Sequence, residues 1–284
     1  MRIVLEKGAW FYIHVLSLDI CLGVIGSGAL ATSVTGAKMK PAWWILLPLS
    51  VWVIYTLDHL LDGQKSGTDS VNPRHKFHYD YRKPLIVACS VAALVCAALA
   101  LLLLREIVLL GGAILAALAF LHLGIARWGR LRFGKEFSVA LIYTLGVWFG
   151  PLLIVGFRSW AVPVLLLLFF LGTVLNLVMN SLMEADLDAK EGQVYLLSAL
   201  SPELAKEWTL RLSLLGFLTS LLLAAGMRKF APGVSVSSSI VIALICAVPG
   251  GILKYSDRFR DSQNYRILGE GVFILGLLPL LLNA

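Results

Sequence analysis

Apolar residues run through this chain in long blocks, and polar residues are gathered into the gaps between them. Nine blocks have the length of a membrane crossing, about 20 residues. They cover roughly 10–34, 42–61, 84–104, 107–127, 137–156, 161–184, 207–227, 235–254 and 264–282. Backbone groups in hydrocarbon must find partners within their own segment, so each block predicts a helix. The alternating pattern of a membrane barrel strand is absent from the blocks. The predicted fold is all-α, a polytopic bundle of nine transmembrane helices.

Composition agrees with that pattern. The 284 residues are 59% hydrophobic and 14% charged, with a mean hydropathy of +0.85. A soluble domain carries about 25% charged residues. No Gly/Ser linker or soluble module interrupts the blocks, so residues 1–284 read as a single domain. Met1–Lys7 is only mildly basic, and the block after it is too long for a secretory signal and contains His14 and Asp19. It reads as a permanent first span.

The net charge of +7 follows topology and calls for no nucleic acid. With the N-terminus cytoplasmic, 18 of the 24 Lys and Arg residues fall on inner loops; Lys38, Lys40, Arg105, Arg158, Arg228 and Lys229 fall outside. That bias is the positive-inside signature. An odd number of spans then puts the C-terminus outside. The protein is expected to be integral and multi-pass, in the inner membrane if bacterial. Cys21, Cys89, Cys96 and Cys246 all lie within apolar blocks, with no CxxC pair. They read as small buried side chains.

The most informative polar residues stand at the ends of two blocks. Asp58 and Asp62 end the second, and Glu184 and Asp188 end the sixth. Residues four apart on a helix lie about 40° apart around its axis, so each pair shares a face. Asn180 extends the second stripe by one turn, while Asp186 points elsewhere. A charge near hydrocarbon costs about 2.5–3.5 kcal/mol on insertion scales, so four such carboxylates are expected to serve a function. Like charges this close repel, which calls for a cation between them. Mg²⁺ suits hard oxygen donors and keeps room for substrate phosphates. The two helices cross in the same direction, so both acidic ends reach one membrane face.

The inner loops supply opposite charge. The second-to-third loop reads Asn72-Pro73-Arg74-His75-Lys76-Phe77-His78, and the fourth-to-fifth carries Arg127, Arg130, Arg132 and Lys135. Arg grips phosphate oxygens with a two-pronged fork and Lys acts as a point charge.

On these residues the sequence resembles the UbiA superfamily of intramembrane prenyltransferases. The likeness spans nearly the whole chain: nine spans, with acidic motifs at the ends of the second and sixth. Asp58 and Asp62 match the last two positions of the family's first motif, Asn-xxx-Asp-xxx-Asp. Asn180, Glu184 and Asp188 resemble the second motif with a preceding Asn. The chain departs from the family at Ile54, where the first motif has Asn, and at Glu184, where Asp is usual. Pro73-Arg74 also stands in place of the family's Arg-Pro. The pattern is that of a divergent branch.

The resemblance implies Mg²⁺-dependent transfer of an isoprenyl group from an allylic diphosphate to a lipophilic or aromatic acceptor within the membrane. Asp58, Asp62, Glu184 and Asp188 would be the catalytic metal ligands. Arg74, Lys76, Arg130, Arg132, Lys135 and Asn180 would bind the diphosphate, at a site facing the cytoplasm. Tyr55, Tyr143, Trp148 and Phe149 are candidates to face the allylic cation. Two alternatives stay open: a terpene cyclase of the same type, and a non-catalytic lipid-diphosphate-binding or transport protein on this fold. His75-xx-His78 lacks a second ligand pair for zinc. His59 could orient a carboxylate or act as a base. Asp19 and Glu270 are candidates to face the bundle interior. Gly23, Gly26 and Gly28 are expected to allow close helix packing.

Overall fold

The computed structural model describes residues 8–70, 72–127, 134–190, 201–230, 235–259 and 264–282, with the backbone alone at residues 9, 69, 126–127, 186–190 and 227–230. The described chain is helical, without a strand. Its elements in order are α1 (Ala9–Val15), α2 (Leu18–Thr35), α3 (Pro41–Ser66), α4 (Pro73–Asp80), α5 (Arg82–Leu103), α6 (Glu106–Arg127), α7 (Lys135–Val155), α8 (Ala161–Lys190), α9 (Pro202–Phe230), α10 (Val236–Lys254), α11 (Ser256–Phe259), α12 (Asn264–Gly271) and α13 (Leu277–Leu282). A tighter 3₁₀ segment, Val272–Gly276, joins α12 to α13. Among the described residues nine spans are long and apolar enough to cross a bilayer: α2, α3, α5 to α10, and the composite α12–α13. The chain is an integral, multi-pass membrane protein.

The first apolar block is not one helix. It breaks at Ser17, whose φ of 55° is left-handed and ends α1 before α2 begins. A serine in that conformation is uncommon and marks a point the surrounding structure must hold. The break also folds His14 back towards Asp19, five positions on.

α2 lies at the centre, packed against α3, α7 and the last span. Its contact with the last span is backbone on backbone. A Cβ on Gly26 would sit 2.3 Å from the Phe273 carbonyl oxygen, and one on Gly276 would sit 2.1 Å from the Gly26 carbonyl oxygen. Lipid offers no hydrophobic drive between helices, so this close approach is what holds such a pair together. Gly28 receives Trp43 and Leu47 of α3 in the same way. Around α2, the interior is filled by residues such as Trp148, Leu165, Phe169, Ile242 and Ile245. α5 and α9 show the opposite pattern: Leu94, Leu102 and Leu222 are more than two-thirds exposed, as expected of faces turned to lipid.

α3 and α8 both continue past the apolar blocks, α3 to Ser66 and α8 to Lys190. The acidic residues are therefore held on helical turns. The loop between the second and third spans is itself partly a helix. Asn72 caps α4 by accepting the Arg74 backbone N–H at 3.0 Å, and Pro73 takes the first helical position, where no N–H is needed.

Candidate functional site

A cavity of about 410 Å³ opens between α3, α6, α7 and α8. One part of its wall is apolar: Trp43, Leu46 and Val51 from α3, Val108 and Leu115 from α6, Ile142 and Phe149 from α7. The other part is ionic. Asp58 and Asp62 of α3, Asn180 and Glu184 of α8, Arg74 and His75 of α4, Lys135 and Glu136 of α7, and Arg266 and Glu270 of α12 all line it. The two acidic helix ends, more than a hundred positions apart in sequence, thus share one cavity.

The residues singled out from the sequence divide in three. Asp58, Asp62, Glu184, Asn180, Arg74 and Lys135 line the cavity together. Lys76 does not: it is exposed on the outer side of α4, because Arg74, His75 and His78 occupy the inner side. Arg130, Arg132 and the side chain of Asp188 lie outside the described residues. Of the aromatic candidates, Tyr55, Tyr143 and Phe149 line the cavity, whereas Trp148 is fully buried in the core against Phe169. Asp19 turns to His14 and does not reach the cavity wall.

The α3 end is open. Asp58 forms no hydrogen bond or ion pair with a described residue, and Lys135 is near enough to act on its charge. Asp62 lies 3.8 Å from His75 Nε2. α4 is held against this end by Gly63, where a Cβ would come within 2.7 Å of the His75 carbonyl oxygen.

The α8 end is engaged. Arg266 forms an ion pair with the Glu184 carboxylate, which also accepts the Tyr265 hydroxyl at 2.8 Å. Both ionic side chains are nearly buried, at 12% and 13% exposure. Asn180 Nδ2 donates to Glu270 Oε1 at 3.2 Å. The Asn180 carbonyl oxygen and one oxygen of Glu136 are buried without a partner among the described residues.

Behind the cavity wall runs a polar chain that the sequence pattern did not reveal. Arg74 donates to His14 Nε2 at 2.8 Å and to His59 Nε2 at 3.3 Å. A guanidinium only donates, so both Nε2 atoms accept and the protons sit on Nδ1. His14 Nδ1–H then donates to Asp19 at 2.6 Å. Burial pushes the His14 imidazole below the usual histidine range, opposed by its bond to Asp19. Burial also lowers Arg74, against the pull of Asp19 and Glu270. The chain fixes the guanidinium at the cavity edge. Its far end, His59 Nδ1–H, and Arg74 Nε–H are donors without a described partner.

Arg266, Glu136 and His14 were missed because each looks ordinary in sequence. Arg266 reads as an inner-loop cation and Glu136 as the flank of a span. The available signal was their position inside or beside apolar blocks, where ionisable residues are costly.

The donors fit a magnesium ion unevenly. Among the described residues no three His, Cys, Asp or Glu side chains converge as a ready-made metal site. Mg²⁺ does not require one, since it is held by one or two carboxylates plus waters and phosphates. Asp58 and Asp62 meet that need. Glu184 already has a cation.

No protein-family model matches the sequence, and no curated protein matches it. Solved structures do match. A UbiA homologue from Aeropyrum pernix K1, in its apo form, superposes with a TM-score of 0.63 at 18% identity, over 95% of this chain and 98% of that one. A UbiA homologue from Archaeoglobus fulgidus bound to DMAPP and Mg²⁺ gives 0.60 at 14% identity, over 95% and 98%. The Archaeoglobus fulgidus structure bound to GPP and Mg²⁺ gives 0.60 at 14%, over 95% and 99%. The likeness extends from end to end of both chains, and this protein has the fold of the UbiA homologues.

Proposed function

We propose that the protein is a divergent UbiA-type prenyltransferase, which moves an isoprenyl group from an allylic isoprenyl diphosphate to a lipophilic or aromatic acceptor inside the membrane. The observation that carries this reading is a cavity with an ionic end and an apolar end, in which Asp58 and Asp62 line the same space as Asn180 and Glu184. The neighbours bound to DMAPP or GPP with Mg²⁺ support it.

Each part of the cavity has a role in this reading. Asp58 and Asp62 would hold Mg²⁺, with Glu184 and Asp188 at the opposite helix end. Bound there, the metal supplies charge neutralisation that makes the diphosphate a better leaving group. Lys135 and Arg74 add positive charge, and Arg74 is held by His14 and His59 before substrate arrives, so little reorganisation is needed there as negative charge develops. Arg130, Arg132 and Asn180 belong to the same proposed diphosphate site. The apolar wall takes the isoprenyl tail and excludes water, and Tyr55, Tyr143 and Phe149 present ring faces or edges to the allylic carbon. The charged end of the bundle faces the cytoplasm, in line with the Lys and Arg distribution.

The test is turnover by purified protein. Dimethylallyl or geranyl diphosphate is expected to be consumed with Mg²⁺ and spared in EDTA. A variant with Asp58, Asp62, Glu184 and Asp188 all replaced by Ala should be inactive; retained turnover there rules the reading out. A second reading, diphosphate binding without turnover, is favoured by the Arg266–Glu184 pair, which occupies one of the expected metal ligands. Saturable binding with no consumption across chain lengths would select it. A cyclised hydrocarbon formed without added acceptor would select the terpene cyclase.

A further inference from the structure

The α8 end of the cavity already contains a cation, and it comes from the chain itself. Tyr265 and Arg266 are consecutive on α12, and both act on the same Glu184 oxygen. The Tyr265 hydroxyl donates to Oε1 at 2.8 Å, and Arg266 Nη2 forms the ion pair with it. Arg266 Nε donates to the Tyr265 oxygen at 3.4 Å, which closes the three groups into a ring. Packing holds the ring in place. Tyr265 is 5% exposed and lies among Met179, Ile252 and Leu253, and the last span is seated on α2 through Gly26 and Gly276. Glu184 and Arg266 both line the cavity, so the guanidinium is presented to whatever fills its ionic part. A guanidinium has five N–H donors, more than one carboxylate and one hydroxyl engage. A metal ion brought onto Glu184 would meet this fixed positive charge. To displace it would strand a nearly buried guanidinium without its partner.

Resting on the prenyltransferase reading, we propose that the protein works with one Mg²⁺, at Asp58 and Asp62, and that Arg266 takes the place of a metal at the α8 end, where it binds the diphosphate directly. Glu184 is then a positioning residue for Arg266 and not a metal ligand. The substitution suits the chemistry. Arg offers a planar fork to phosphate oxygens and carries its charge whether or not metal is loaded. Negative charge on the departing diphosphate is met by the metal on the α3 side and by a preorganised guanidinium on the α8 side. One Mg²⁺ needs no more than the carboxylates of α3, since waters and phosphates complete its shell.

The experiment counts metal ions in place of turnovers. Full-length protein in detergent is titrated with Mn²⁺, which stands in for Mg²⁺ and is read by electron paramagnetic resonance. Geranyl S-thiolodiphosphate, whose C–S bond resists cleavage, is present at saturation. Wild type is expected to bind one Mn²⁺ per chain, Asp58→Asn with Asp62→Asn none, and Glu184→Gln still one. Arg266→Met should bind two, because the α8 carboxylate has then lost its cation. Arg266→Lys keeps the charge without the fork. Its metal count should stay at one while its affinity for geranyl diphosphate falls about 10-fold or more, with geraniol bound as in wild type. Two Mn²⁺ in the wild type overturn the proposal, as does loss of the metal in Glu184→Gln. An Arg266→Met protein that folds and still binds one overturns it too, and so does wild-type diphosphate affinity in Arg266→Lys. Should Arg266→Met fail to fold, the other variants decide. In each of these failures the analogue is still bound. A wild type that neither binds the analogue nor consumes geranyl diphosphate overturns the prenyltransferase reading instead, and this proposal with it.

Discussion

The ends of α3 and α8 look like copies of one another in sequence, yet the structure treats them differently. Each carries an acidic pair one turn apart where a span leaves the apolar layer. At α3, Asp58 is unpaired among the described residues and Asp62 has His75 at 3.8 Å. At α8, Glu184 is held by Arg266 and Tyr265. Like charges call for a compensating cation, and the two ends differ in where that cation comes from. The α8 end draws it from the last span. At the α3 end no described cation closes on Asp58, and His75 stands 3.8 Å from Asp62. A repeated motif therefore does not imply a repeated function, because the partner is brought by tertiary packing.

The largest effect that would test this difference concerns the stability of the α8 end. Arg266→Met leaves Glu184 nearly buried with only the Tyr265 hydroxyl, and breaking a buried pair in this way costs about 3–5 kcal/mol. Removing both charges, in Arg266→Met with Glu184→Met, should recover most of that loss. Thermal unfolding in detergent measures both. If Arg266→Met unfolds at the wild-type temperature, the ion pair does not hold this end and the contrast with α3 disappears.

The next effect is catalytic and runs the other way. Asp58→Asn should lower Mg²⁺-dependent diphosphate release at least about 100-fold, or about 2.7 kcal/mol of barrier. Glu184→Gln should cost less than about tenfold, because Arg266 remains to face the diphosphate. Equal losses at the two positions would mean that substrate binding displaces Arg266 and that the two ends become alike.

Half of this contrast could be read from the sequence. The nine spans follow from block length, and the shared faces of Asp58 with Asp62 and of Asn180 with Glu184 follow from helical spacing. What could not be read is pairing at a distance. Nothing near Glu184 announces Arg266, which lies 82 positions on and reaches it only through the packing of α12 against α8. The break at Ser17 is equally silent, since a single left-handed residue leaves hydropathy unchanged, yet it sets His14 on Asp19 and thereby orients Arg74. α4 had a local signal in Asn72-Pro73, a cap followed by a first-turn proline. Reading that stretch only as a charged loop put Lys76 beside Arg74, where a helix turns it outward.

Glycine substitution sharpens the comparison at smaller cost. Gly63 admits the backbone of α4 to the α3 end: a Cβ there meets the His75 carbonyl oxygen at 2.7 Å and the Tyr79 nitrogen at 3.1 Å. Gly269 admits α8 side chains instead, and a Cβ added to it would meet Asn176 Oδ1 at 2.6 Å and Met179 Cε at 2.8 Å. Backbone cannot step aside, whereas the end of a methionine can. Gly63→Ala should destabilise by about 1–3 kcal/mol, the usual cost of overpacking, and should weaken diphosphate binding by shifting Arg74. Gly269→Ala should cost under about 1 kcal/mol. Thermal unfolding and a diphosphate titration on the two variants distinguish these outcomes, and the reverse order would show that α12 is the more rigid of the two contacts.

The smallest effect is a pH dependence at the α3 side. α4 docks there through His78, which is buried and donates from Nδ1 to the Arg74 carbonyl at 2.9 Å. Burial, with the nearby Arg74 charge, lowers its pKa to about 4 against the backbone hydrogen bond that raises it. The unfolded chain therefore binds a proton near 6.5 that the folded chain refuses until about 4. Stability from this group is complete at higher pH and is lost as pH falls through that window. Between neutrality and about pH 5 the loss is about 1–2 kcal/mol. His14 is shifted in the same direction and adds to it. His78→Gln should unfold at a temperature that varies less with pH over this range than the wild type does. Hydrogen exchange should show acid loosening α4 before α12, because His14 and His78 are both hydrogen-bonded to Arg74 of α4. Loosening of α12 first, or a His78→Gln profile parallel to that of the wild type, would place the acid-sensitive contact elsewhere and remove the asymmetry from this part of the fold.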